Sequence, residues 1–184
     1  MRHEYSAVRE DSLLLVIDLQ QAMLKAIERR ETIVGKAGQL IQAANVLAVP
    51  ILLTEQYPQG LGGTDPRVLE DIERPRVCEK EHFSACMEPD FLPALETYQR
   101  GTIIVAGTEA HVCVLQTCLD LLRAGFQVHL VADGVASRAD FNRDIAIGQL
   151  RQAGAVITST EIVIFEWARK ANTAEFRKVL PIVK

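Results

Sequence analysis

Apolar residues fall in short, evenly spaced runs along the chain. Leu13–Ile17 reads as a buried strand closed by Asp18, and Pro50–Thr54 as a second. Arg76–Glu79 is a weaker third, Thr102–Ala106 a fourth ended by Gly107, Gln127–Ala132 a fifth and Ala155–Thr158 a short sixth. These runs of Val, Ile and Leu show no alternating polar face, which suits parallel strands covered on both sides. Between them, apolar positions recur at helical spacing over Ile33–Leu47, over Val112–Ala124 up to Gly125, and over Ala139–Ala153 up to Gly154. A glycine just past the last periodic residue is a helix-end signal. Strand and helix alternate from one end to the other, which predicts right-handed βαβ units and a doubly wound α/β sheet. The longest irregular stretch is Glu55–Pro66, with Tyr57, Pro58, Gly60, Gly62 and Gly63. Loops of that length in compact domains are usually functional or mobile.

The chain of 184 residues fits one domain spanning 1–184. Its 48% hydrophobic and 24% charged residues can build a core without disulfide or metal staples. A formal net charge of -4 argues against nucleic acid as the main partner. The basic residues near the C-terminus (Arg169, Lys170, Arg177, Lys178, Lys184) read as a solvated helix end. No apolar run approaches the roughly 20 residues that cross a bilayer, so no membrane partner is expected. The polar start MRHEYSAVREDS lacks the apolar stretch of a signal peptide. Cys78, Cys86, Cys113 and Cys118 therefore read as free thiols in a reducing compartment, the cytoplasm.

In open α/β sheets the ligand crevice lies beyond the carboxyl ends of the strands, where the strand order reverses. Three reactive residues follow strands: Asp18 the first, Lys80 the third and Cys113 the fourth, at the start of the next helix. A helix N-terminus and a nearby ammonium both favour a thiolate, so a lowered thiol pKa is expected. A carboxylate can take the thiol proton and return it to a leaving amine. Backbone N–H groups before and at Cys113 can stabilise an oxyanion. Each residue also has a plainer reading: Asp18 as a helix cap, Lys80 as a surface charge, Cys113 as a small core residue.

VIDLQ at Val16–Gln20, EKEHFSA around Lys80 and GTEAHVCVLQTCLDL at Gly107–Leu121 resemble the isochorismatase-like cysteine hydrolase superfamily, in order along nearly the whole chain. LTEQYPQGLG at Leu53–Gly62 and VADGVASR at Val131–Arg138 are similar to the branch of isochorismatase domain-containing proteins. The resemblance implies a Rossmann-like sheet of six parallel strands in the order 3-2-1-4-5-6. It also implies a catalytic triad of Asp18, Lys80 and Cys113, and a cis peptide at Thr108–Glu109 with the Glu109 and Cys113 N–H groups facing an oxyanion. A homo-oligomer, dimer or larger, is implied as well. Nicotinamidases of this superfamily carry an Asp-x-His metal motif after the second strand; here that place reads Thr54-Glu55-Gln56-Tyr57, so no metal is expected. Isochorismatases proper act on a vinyl ether without a cysteine nucleophile, and Cys113 argues against that reaction.

Cys78, His82 and Cys86 have no fourth ligand and no paired C-x-x-C spacing, so a metal there is not indicated. His111 reads as a pocket or positioning residue rather than a dyad partner, and Cys118 as core. No glycine-rich phosphate-binding motif occurs, so no nucleotide cofactor is expected. Gln20, Gln56, Tyr57, Phe83 and His111 are the expected pocket wall for a small-molecule substrate. The function expected is hydrolysis of a small amide or other C–N bond through a thioacyl intermediate. The alternatives are a catalytically silent interaction module and a redox-sensing thiol protein.

Overall fold

The computed structural model describes residues 3–184; Met1 and Arg2 of the polar N-terminal stretch lie outside them. Six parallel strands, β1 (Ser12–Ile17), β2 (Ile51–Gln56), β3 (Val77–Lys80), β4 (Thr102–Thr108), β5 (Gln127–Ala136) and β6 (Val156–Thr158), form one sheet in the order β3-β2-β1-β4-β5-β6. All six residues of β1 are buried, and they alternate between two cores. Leu14 and Val16 pack with helices α2 (Arg30–Leu47), α8 (Thr160–Ala168) and α9 (Ala174–Val179). Leu13, Leu15 and Ile17 pack with α5 (Phe91–Glu96), α6 (Leu115–Arg123) and α7 (Asp140–Gln152). Both faces of the sheet are therefore covered, which is why the strands read as unbroken apolar runs.

The glycine stop signals act as read. Gly125 (φ +93°) follows α6, with Gly125 N–H donating to the Leu122 carbonyl and Phe126 N–H to that of Leu121. Gly154 (φ +104°) closes α7 in the same way, with Ala155 N–H donating to the Leu150 carbonyl. Both pairings satisfy carbonyls that a helix end leaves open.

Several boundaries differ from the sequence reading. β2 runs on to Gln56, β4 through Gly107 to Thr108, and β5 to Ala136. The Glu55–Pro66 stretch is less irregular than expected: it starts in β2 and continues through the one-turn helix α3 (Pro58–Leu61), with α4 (Pro66–Leu69) following. The helix expected from Val112 instead begins as a wide π-helical turn over Ala110–Val114, with α6 proper starting at Leu115. Asp18 caps nothing: the short helix α1 (Gln21–Leu24) has Gln20 at its cap and no side-chain cap bond. The C-terminal segment docks on its own domain, with Val179 buried and Phe176, Ile182 and Val183 packed on the core.

Candidate active site

β1 and β4 are neighbours at the point where the chain turns from one half of the sheet to the other, so their carboxyl ends open on one crevice. Gly107 makes their approach possible. It pairs with Ile17, has φ +128°, and a Cβ there would lie 2.0 Å from the Ile17 carbonyl oxygen. The register of β4 against β5 also shifts between Val105 and Gly107. Beyond this point Thr108 comes over Asp18, its hydroxyl donating to the Asp18 carbonyl at 2.7 Å. The Thr108–Glu109 peptide is cis.

Asp18 leaves β1 in a left-handed conformation (φ +48°) and is fully buried. Thr54 Oγ1 donates to its Oδ1 at 2.6 Å, and Lys80 Nζ lies 2.8 Å from its Oδ2. Lys80 ends β3, two strands away, and its chain spans the β2 end to reach Asp18. There it is 2% exposed and is held by three further oxygens: Gln56 Oε1 at 2.6 Å and the carbonyls of Phe83 at 3.2 Å and His82 at 3.4 Å. A surface lysine would have none of this.

Cys113 sits in the π-helical turn, 2% exposed, with Sγ 3.8 Å from Gln56 Oε1 and in electrostatic reach of both Asp18 and Lys80. The structure thus brings Asp18, Lys80 and Cys113 to one buried spot. The thiol's acidity departs from expectation. Burial pushes the Cys113 thiol up to about 12, the Asp18 carboxylate adds to this, and the Lys80 ammonium opposes it without prevailing. The expected lowering fails because burial, with the Asp18 charge beside it, outweighs the ammonium. These surroundings favour the thiol over the thiolate.

Of the expected wall residues, Gln20 faces the interior. Its amide accepts from Gln56 N–H (2.7 Å) and donates to the carbonyls of Gln56 (3.0 Å) and Gly62 (2.6 Å). Gln56 is also buried, its Nε2 donating to the Glu81 carbonyl at 2.7 Å. Tyr57 and Phe83 are half-exposed on the rim. His111 turns toward Ser137 (Nδ1 to Oγ 2.9 Å) and Glu109 (Nε2 to Oε2 3.9 Å). Glu109 Oε1 accepts from Arg138 Nε at 2.7 Å and Arg138 N–H at 3.3 Å. An open groove lies elsewhere, along Asn45, Pro50 and Asp71–Arg74 at the amino end of β2, and is lined by none of these residues.

The isochorismatase domain model matches residues 12–162, most of the chain. The chain belongs to the isochorismatase family. The "Secreted isochorismatase effector Isc1" of Phytophthora sojae is 37% identical over 96% of this chain and 86% of its own. "Isochorismatase domain-containing protein 2A" of Mus musculus is 37% identical over 95% of this chain and 84% of its own. A solved structure titled "MAR1 Ribonuclease from Caenorhabditis elegans" superposes with a TM-score of 0.90 at 37% identity, covering 96% of this chain and 91% of that one. The six-stranded order seen here is the fold of this isochorismatase-family relative.

Within this family frame, sequence reasoning missed Thr54 and Thr108, which hold the two ends of Asp18, and Arg138, which holds Glu109. Thr54, the polar residue closing the second apolar run, was the available signal for the first, and the register pair Ile17–Thr54 sets it beside the residue after Ile17. Among the described residues, no group of three or more His, Cys, Asp or Glu is disposed to hold a metal ion, and no helix is long and apolar enough to cross a membrane. All four cysteines are free: Cys78 and Cys86 half-buried, Cys113 and Cys118 buried.

Proposed function

We propose that this isochorismatase-family chain hydrolyses small amides or related C–N substrates, with Cys113 as nucleophile, Asp18 as general base and acid, and Lys80 as the fixed counter-charge. The observation that carries the reading is the Asp18–Lys80 ion pair at 2.8 Å, buried on both sides and set against a buried thiol. A buried ion pair is weak as a stabilising device, so its presence beside a nucleophile favours a chemical role. As sulfur attacks the carbonyl carbon, its proton passes to Asp18, and the carbonyl electron pair moves to an oxygen facing the Glu109 and Cys113 N–H groups. Asp18 then returns the proton to nitrogen as the C–N bond breaks. Water, deprotonated by Asp18, cleaves the thioester and restores the thiol.

The resting thiol disfavours the redox-sensor alternative, because peroxide oxidises thiolates and burial holds Cys113 protonated. The test is ammonia release from a panel of small primary amides, with intact-mass detection of an acyl adduct on Cys113. An RNA oligonucleotide is included because the C. elegans relative is titled a ribonuclease. Turnover abolished in Cys113→Ala and Asp18→Asn supports the reading. Turnover kept in Asp18→Asn and Lys80→Ala refutes the assigned roles. RNA cleavage that survives Cys113→Ala would replace the reading with a different chemistry, and no turnover with any substrate would favour the interaction module.

A further inference from the structure

Gln56 has more fixed contacts than a pocket wall needs. Its backbone is clamped on both sides by the Gln20 amide, which accepts from Gln56 N–H at 2.7 Å and donates to Gln56 O at 3.0 Å. Its side chain lies between three groups: Nε2 donates to the Glu81 carbonyl at 2.7 Å, while Oε1 accepts from Lys80 Nζ at 2.6 Å and lies 3.8 Å from Cys113 Sγ. The two ends of this amide cannot be exchanged. Turning it over would set its carbonyl against that of Glu81 and its NH2 against the Lys80 ammonium, two repulsive contacts in place of two hydrogen bonds. The oxygen is therefore the end that faces sulfur.

We propose that Gln56 is a positioning residue for Cys113: its locked side-chain oxygen keeps the proton on the resting thiol and draws a Lys80 N–H away from sulfur. The inference rests on the Asp18–Lys80–Cys113 reading and deepens it. An amide oxygen near sulfur accepts weakly from S–H and opposes a negative sulfur. The charged groups around Cys113 are Asp18 at the end of β1 and Lys80 at the end of β3. On its own turn, Glu109 is paired with Arg138 from the end of β5, and His111 with Ser137. Gln56 contributes an uncharged, non-titrating acceptor within reach of both the ammonium and the thiol, so the site's charge balance does not depend on it while the direction of the Lys80 N–H groups does.

The test is the iodoacetamide alkylation rate of Cys113, read by peptide mass from pH 7 to pH 10. It compares the wild type with Gln56→Met, Gln56→Glu and Asp18→Asn, with a thermal melt for each. Gln56→Met is expected to react about tenfold faster and Gln56→Glu about tenfold slower at a given pH, the equivalent of about one pH unit each way. A merely structural role would loosen the site and speed both variants. Rates that move together, or that do not move, overturn the proposal. Gln56→Glu keeps the size and the acceptor for Lys80, so it decides the matter if Gln56→Met melts early. A rate unchanged in Asp18→Asn would instead overturn the underlying triad, whereas a rate moved by Asp18→Asn but by neither Gln56 variant removes only the role of Gln56.

Discussion

His129 gives a sharp test of the core. It lies in the middle of β5, paired with Ile104 and Val156, with no exposed surface. Neither ring nitrogen has a hydrogen-bond partner, and burial pushes the imidazole down to about 4 from its ordinary 6.5. Between those two values the unfolded chain binds a proton that the folded chain refuses. The stabilisation tied to a neutral His129 is therefore fully present above about pH 6.5 and is lost as pH falls toward 4. Complete loss corresponds to about 3 kcal/mol, and about 2 kcal/mol is gone by pH 5. Replacing the ring by leucine removes two unpartnered nitrogens at similar volume, so His129→Leu is expected to be neutral or stabilising at pH 7.5. Urea unfolding of both proteins at pH 7.5 and pH 5 separates this effect, because all other titrating groups cancel in the comparison. The wild type should lose about 2 kcal/mol more than His129→Leu between the two pH values. Equal losses would refute the reasoning, and a leucine variant weakened by several kcal/mol at pH 7.5 would mean that the ring nitrogens are bonded after all.

Lys80→Met leaves Asp18 buried without its counter-charge and should cost about 3–5 kcal/mol in urea unfolding at pH 7. Adding Asp18→Asn should recover part of that loss, and strict additivity of the two changes would contradict the pairing. Gly107→Ala drives a Cβ into the Ile17 carbonyl at 2.0 Å in a left-handed backbone, so a thermal midpoint close to wild type would show that β1 and β4 do not approach as described. Asp18→Asn should speed alkylation of Cys113, since the carboxylate holds the thiol pKa up, while abolishing amide turnover. A fall in both rates would mean that Asp18 supports a pre-formed thiolate instead.

The fold was legible because the central strands β1 and β4 are buried, largely apolar runs and two helices end in glycines with positive φ. Periodicity fails where contacts from outside the local segment decide the outcome. The π-helical turn at Ala110–Val114 has the same spacing of apolar residues as an ordinary helix start, and the five-residue hydrogen bonds from Val114 N–H to the Glu109 carbonyl and from Leu115 N–H to the Ala110 carbonyl distinguish it. The convergence of Asp18, Lys80 and Cys113 was legible because all three follow strands whose carboxyl ends meet in one crevice. Their environment was not legible. The sequence places a lysine and a cysteine after different strands, but the acidity of the sulfur depends first on its burial and then on the Asp18 and Lys80 charges that the fold brings beside it. Gln20 illustrates the same limit: beside Asp18 in sequence it looks like a wall residue, yet its amide ties β2 to the Gly62 turn.

A protonated resting thiol changes where the catalytic work of such a site must be done. A thiolate prepared in advance would need a lowered pKa and would leave Asp18 with no proton to take. With sulfur held as S–H, the carboxylate beside it, paired with Lys80 at 2.8 Å, is the proton acceptor of the proposed mechanism, and proton transfer can accompany attack. Burial, which makes the thiolate costly, also strengthens every charge interaction in the crevice, so the same dry surroundings that silence the cysteine at rest raise the value of Asp18 and Lys80 once a carbonyl is present. A substrate that brings its own polar oxygen supplies the one thing the resting site lacks, a place for the displaced charge other than sulfur. On the proposed triad, a reagent that needs only free thiolate should find Cys113 sluggish, whereas a carbonyl compound seated against the Glu109–Cys113 turn would meet the proposed base, counter-charge and nucleophile together.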